Sequence, residues 1–236
     1  MLLAKGKKLL QIALDYTRLE EAVELAVIAS RLNKDNNIII EVGTPLIKSE
    51  GLRSASIISA ATLHMPIVAD MKIIDAADTV IAEAASYEYY VHREPGIEAL
   101  KSVVDAITVI AAAAKETIQV AVKAAHDREI LVIADTIAQD PLKAAKRAAR
   151  LGVDIIELHI GVDTQRILGL TADQLLDLIP LVKRETKLPI AVAGGITPTT
   201  ARKAVEKGAD IVIVGGYIRR HKDPAEAIKE LLAAIT

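Results

Sequence analysis

The sequence has no cysteine, no tryptophan and no phenylalanine in 236 residues. Without thiols, neither a disulfide framework nor thiolate catalysis is available, and any metal must sit on oxygen or imidazole ligands. An excess of charge of one sign is also lacking, since 29 Lys and Arg stand against 31 Asp and Glu for a formal net charge of −2. That balance argues against a nucleic-acid binder working through a basic field. No apolar run approaches the roughly 18 residues that a bilayer span requires, and the first ten residues interleave lysines with leucines without a cleavage-site pattern. The expectation is a soluble, cytoplasmic protein.

The aromatic deficit is the odd feature. At an ordinary usage of roughly 4%, a chain of this length would carry about nine Phe. Asparagine is scarce too, confined to Asn33, Asn36 and Asn37, while Lys, Glu and Arg are abundant. A heat-adapted source fits this composition. A reduced-alphabet or reconstructed sequence fits it equally well.

What is present is a repeat of short apolar runs and longer segments of helical period. Strands are expected at Leu10–Asp15, Asn37–Val42, Pro66–Asp70, Ala106–Ala111, Ile130–Asp135, Val153–His159, Leu188–Ala193 and Asp210–Val214. Most are nearly continuous Ile, Val, Leu and Ala, as in strands of a parallel sheet buried on both faces. Amphipathic segments such as Leu19–Arg31 and Pro141–Leu151 lie between them. Eight strand–helix alternations predict an α/β fold, a single-domain (β/α)8 TIM barrel over residues 1–236. Thr197-Pro198 and Asp223-Pro224 read as helix starts, and Gly152 and Gly208 as helix ends. The crossover at about 87–104 is longer than the others. There the sequence predicts a helix interruption near Pro95-Gly96 and a short extra helix from Ile97 to Val104, with Tyr87, Tyr89 and Tyr90 as a helix-packing or subunit-contact cluster.

In such a barrel the chemistry belongs at the carboxyl ends of the strands. Asp15, Glu41, Asp70, Asp75 and Asp135 fall there, with Lys72 and His159. Five carboxylates around one mouth repel one another unless cations are present, and a divalent ion held by oxygen ligands would be Mg²⁺ or Mn²⁺. The last two strands end in Gly194-Gly195 and Gly215-Gly216. Glycine lets backbone N–H groups approach an anion, so a phosphate monoester is the expected substrate class. The remaining histidines, His64, His92, His126 and His221, fall on expected helix ends or loops without a partner motif.

Taken together, Ile12-Ala13-Leu14-Asp15, Glu41 to Ile47, Ala69 to Asp75, His159 to Gln165 and Ala191 to Ile196 resemble the orotidine-monophosphate-decarboxylase-like superfamily of barrels. Within it they are most similar to the 3-hexulose-6-phosphate synthase family. The resemblance runs from Gln11 to about Ile228. It implies a homodimeric aldolase that joins formaldehyde to D-ribulose 5-phosphate through an enediolate, or cleaves the product. By the same resemblance, Glu41 and Asp70 hold Mg²⁺, His159 transfers protons, Lys72 stabilises the oxyanion and Asp15 bonds substrate hydroxyls. Asp75 reaches into the partner's site, and Asp135, Asp163, Ala193, Gly194, Gly195, Gly215 and Gly216 contact substrate. The sister 3-keto-L-gulonate-6-phosphate decarboxylases typically carry Glu, Arg and Thr where this chain has Asp135, Val162 and Ala193. All three positions resemble the synthase. A decarboxylase, and a reconstructed barrel with inherited but inactive site residues, remain as alternatives. Ala77 departs from the family pattern, which has Gly there.

Overall fold

A computed structural model describes residues 6–94 and 97–236. Eight parallel strands close into a barrel: β1 (Leu9–Leu14), β2 (Ile38–Val42), β3 (Ile67–Ile73), β6 (Ala106–Ile110), β7 (Leu131–Asp135), β8 (Ile155–His159), β9 (Ile190–Ala193) and β10 (Ile211–Val214). β4 (Glu88–Glu94) and β5 (Ile97–Ser102) form a separate antiparallel pair between β3 and β6. Among the helices are α1 (Leu19–Leu32), α2 (Thr44–Glu50), α3 (Arg53–Ala61), α4 (Ala77–Ala85), α5 (Lys115–His126) and α6 (Pro141–Arg150). They continue with α7 (Val162–Leu168), α8 (Ile179–Thr186), α9 (Pro198–Glu206), α10 (Gly216–Arg220) and α11 (Pro224–Ile235). All eight expected barrel strands are present, with ends moved by at most three residues. No helix among the described residues is long and apolar enough to cross a membrane.

Two apolar layers hold the barrel. Between sheet and helices, Leu10, Ile12, Leu14, Ile38 and Ile40 meet small helix residues such as Ala22, Ala26 and Ala29 of α1 and Ala144, Ala145 and Ala148 of α6. Alanine lets a helix approach the strands closely, so Ile and Val fill the gap without aromatic bulk. Inside the barrel, Leu9, Ala13, Ile39, Val68, Ala106, Ile133, Ile155, Ala191, Ala193, Ile211 and Ile213 form a second cluster. Because side chains alternate along a strand, this set fixes which other residues point inward. They are Gln11 on β1, Glu41 on β2, Asp70 on β3, Thr108 on β6, Asp135 on β7, and Glu157 and His159 on β8. The interior is therefore apolar at the amino end of the strands and polar at the carboxyl end.

The extra helix expected from Ile97 to Val104 is not formed, and the segment is strand β5, in register with β4 from Glu88↔Ser102 to His92↔Glu98. Glu, Ala, Leu and Lys in this segment favour a helix locally. Pairing with the aromatic and β-branched run Tyr89-Tyr90-Val91 overrides that preference. His92 accordingly lies in β4 rather than at a helix end. Tyr87 packs beside the main core rather than on a helix cluster, and Tyr89 and Tyr90 belong to β4. The interruption expected at Pro95-Gly96 lies outside the described residues.

Helix ends follow their predicted punctuation. The Thr197 side chain accepts from Thr200 N, Asp223 accepts from Ala225 N and Glu226 N, and Gly152 and Gly208 have φ of 92° and 104°. Asp223→Ala removes two bonds to otherwise unpaired N–H groups at the start of α11. It is expected to cost about 1 kcal/mol and to lower the thermal midpoint by about 2–4 °C, measurable by circular-dichroism melting.

Candidate active site

Lys72 stands at the centre of the polar end. Its ammonium lies 2.9 Å from Asp70 Oδ1 and 3.1 Å from Asp135 Oδ2. To reach both it adopts a left-handed backbone, φ 45°, at a register shift in β3, with its N–H donating to Thr108 Oγ1 at 2.8 Å. A left-handed lysine is costly and persists only where its surroundings over-determine it. Burial alone would lower its basicity, but Asp70, Glu157 and Asp135 outweigh burial and raise it, so the ammonium stays charged.

Asp70 is buried, its Oδ1 accepting from Lys72 and from Thr108 Oγ1 at 2.8 Å and its Oδ2 from Thr44 Oγ1 at 2.7 Å. Asp135, with no exposed surface, accepts from Ile137 N at 2.8 Å and faces His159 Nδ1 at 3.1 Å. Burial would raise its pKa, yet the hydrogen bond and charge of His159, with Lys72 and the Ile137 N–H, hold it below the usual carboxylate range.

Glu41 is buried, and its partner is the neutral amide of Gln11, which donates to Oε2 at 2.6 Å. Burial first, then the charges of Asp70 and Asp15, push its carboxyl well above the usual range. Gln11 Oε1 lies buried without a hydrogen-bond partner among the described residues. Asp15 follows β1, and Gly43 makes room for it. A Cβ on Gly43 would come 2.3 Å from Asp15 Oδ1, and one on Gly215 3.0 Å from Oδ2. Burial and the Asp70 charge raise the Asp15 pKa, opposed by Arg219, Lys72 and His159.

Ala193 is buried at the end of β9 and the glycine pairs follow β9 and β10. Gly194 has φ 110°, and a Cβ there would lie 2.4 Å from Ile160 O, so only glycine fits that turn. Two residues do not converge with the rest. Asp75 is exposed on the rim beyond β3, and Asp163 is exposed in the first turn of α7, paired with Arg166 at 2.9 Å.

Glu157 joins the site although it is not among the strand-end residues expected there. Its Oε1 lies 3.3 Å from His159 Nδ1, and its carboxyl is pushed well above the usual range by burial, then by Asp135. Its signal was parity: a lone charge in Ile155-Ile156-Glu157-Leu158, two residues before an inward His159 and hence inward itself. Gln11, Thr44, Thr108 and Arg219, which donates to Asp15 O, were also missed. Ligand atoms of Asp135, Glu157 and His159 lie within 4.8 Å of one another. Lys72 already supplies a positive charge at Asp135, whereas Glu41 has no cation partner among the described residues. Hard oxygen donors gathered with too few cations suit Mg²⁺, so Glu41 and Asp70 fit that ion.

Residues 8–231 match the model of the orotidine 5′-phosphate decarboxylase / HUMPS family. The chain belongs to that family. A 3-hexulose-6-phosphate synthase of Staphylococcus aureus is 37% identical over 227 residues, covering 96% of this chain and 98% of the relative. A crystal structure of a 3-hexulose-6-phosphate synthase superposes with a TM-score of 0.80 at 34% identity, over 96% of this chain and 99% of the other. A 3-keto-L-gulonate-6-phosphate decarboxylase from Vibrio cholerae gives 0.76 at 25% identity, over 98% of both chains.

The raised carboxyl of Glu157 has a thermodynamic consequence. Between its unfolded and folded pKa values the native state binds more protons, so its contribution is fully present below the unfolded pKa and is lost as pH rises through the folded one. Glu157→Gln is expected to raise the thermal midpoint at pH 8 by more than at pH 4.5, as read by denaturant or thermal melts at both values.

Proposed function

We propose that the chain is a Mg²⁺-dependent aldolase joining formaldehyde to D-ribulose 5-phosphate, or releasing formaldehyde in reverse. The observation that carries this reading is the convergence of Glu41, Asp70, Lys72, Asp135 and His159 at the mouth of the barrel whose last two strands end in glycine pairs. Similarity to relatives named 3-hexulose-6-phosphate synthase supports the substrate assignment.

The phosphate would lie against the N–H groups of Gly194, Gly195, Gly215 and Gly216, with Ala193 lining the approach, while Asp163, turned to Arg166 in solvent, takes no part. Asp15 would accept hydrogen bonds from substrate hydroxyls. His159 is engaged through Nδ1, which leaves Nε2 to take the C1 proton as general base. The C1–H electrons then pass to the carbonyl oxygen, and the resulting enediolate is held by the Lys72 ammonium. Mg²⁺ held by Glu41 and Asp70, or Mn²⁺ on the same donors, would supply Lewis-acid stabilisation of the negative charge on the substrate oxygens. Carbon C1 next attacks formaldehyde, forming the new C–C bond, and the alkoxide receives a proton from His159. Asp135 would position both Lys72 and His159.

Exposed Ile74, Val162, Ile167 and Leu168 lie on segments that follow β3 and β8 at the same end of the barrel as Asp75. This apolar rim supports a homodimer in which Asp75 reaches the partner's site.

The purified protein with ribulose 5-phosphate, formaldehyde and Mg²⁺ is expected to consume formaldehyde, and chelation is expected to abolish turnover until the metal is restored. Full activity in chelator removes the metal from the scheme, and no turnover at any temperature favours a barrel with inherited, inactive residues. Val162→Arg separates the aldolase from a decarboxylase. An arginine at this position would order a protonating water where formaldehyde otherwise enters, so aldol turnover should fall and C1 proton exchange or decarboxylation should rise. Unchanged aldol activity with neither gain removes the role given to Val162.

A further inference from the structure

Glu157 is a buried carboxyl that the scheme above leaves unused, yet it faces the group that moves protons. It sits on β8 two residues before His159, so both point into the barrel, and its Oε1 is 3.3 Å from His159 Nδ1. Asp135 Oδ2, from β7, lies 3.1 Å from the same nitrogen. Asp135 takes the hydrogen bond at Nδ1, and Glu157 Oε1 stands beside the same nitrogen at ion-pair distance, placed to act as a second acceptor when the ring turns toward it. We propose that Glu157 is a positioning residue for His159, the second acceptor that with Asp135 holds the imidazole as the Nδ1–H tautomer and turns Nε2 to the substrate. This rests on the proton-transfer reading of His159.

Asp135 cannot do this alone. The oxygen it offers His159, Oδ2, is the one bound by Lys72 at 3.1 Å, and its other oxygen takes the Ile137 N–H. One carboxylate oxygen divided between an ammonium and an imidazole fixes the ring weakly, because each donor pulls the same lone pairs. A second acceptor beside Nδ1 would restrain rotation about the side chain. The other groups facing Glu157 are Asp70 and Lys72 on β3 and Glu41 on β2, while its β9 neighbour is apolar Ala191. Burial first, then Asp135 and the other negative groups nearby, push the Glu157 carboxyl well above the usual range, which favours the neutral acid and spares Asp135 added repulsion. A neutral acceptor is what a site already rich in carboxylates can accommodate.

Two variants separate positioning from packing. Glu157→Leu conserves volume and deletes the acceptor, whereas Glu157→Gln keeps an oxygen in the same place. Glu157→Leu is expected to lower kcat about 10- to 100-fold with KM within about threefold, the pattern of a lost transition-state interaction. Glu157→Gln is expected to recover at least about tenfold of that loss by the same criterion. In a His159→Asn background Glu157→Leu should add nothing, since the two act as a unit. Ring ¹⁵N shifts of His159 give a readout independent of any reaction: a single Nδ1–H tautomer in the native protein and in Glu157→Gln, and a mixture in Glu157→Leu. Native kcat in Glu157→Leu, equal impairment of both variants, or one tautomer in all three proteins overturns the proposal. Loss of the tautomer in a protein that never consumes formaldehyde supports the positioning role while overturning the aldolase reading.

Discussion

Lys72 places one ammonium between Asp70 and Asp135 in the buried mouth of the barrel, and much of the surrounding structure makes that position tenable. Taking three charged groups out of water is costly unless their geometry is good and their remaining lone pairs are occupied. Here Thr44 and Thr108 bond to Asp70, and Ile137 N and His159 to Asp135. The register shift in β3 and the left-handed φ of Lys72 aim the side chain inward, and Thr108 takes up the N–H that the irregular ladder frees. A removed partner would leave a buried charge unpaired, so the cluster functions as one unit.

The same economy sets protonation around the ring. One lysine and one histidine, with Arg219 beside Asp15, face Asp15, Glu41, Asp70, Asp135 and Glu157. Charge is kept where hydrogen bonds and cations are closest, at Asp135, and suppressed where burial dominates, at Glu41 and Glu157. Environments that push neighbouring carboxyls in opposite directions are characteristic of acid–base sites. A divalent ion at Glu41 and Asp70 would reverse the balance at Glu41, since a bound cation favours the carboxylate. Gln11 would still serve as donor there. A chain whose total charge is nearly zero thus carries a concentrated local deficit of positive charge.

The barrel was legible because strands buried on both faces read as continuous apolar runs, and turn and cap residues marked the ends between them. The strand-end rule also brought out Asp15, Asp70, Lys72, Asp135 and His159. It could not reach Glu157 or Gln11, which lie one layer below the strand ends, where the buried sheet layers are otherwise apolar. Inward parity, counted back from His159, would have identified Glu157. Nor does a strand-end rule distinguish Asp163, which turns to Arg166 in solvent, from residues that face the mouth. That distinction depends on where α7 begins relative to β8, a tertiary fact.

The misread segment is also explained by position. β4 and β5 follow α4, which descends from the mouth, and precede β6, which rises toward it, so the pair lies at the amino end of the barrel. Its strands pair with each other and leave the eight-stranded ladder closed. Consequently this longest departure from the strand–helix repeat is remote from the rim bearing Asp75 and Ile74. The absence of phenylalanine is compatible with these layers, since Ile, Val, Leu and Ala fill both sides of the sheet.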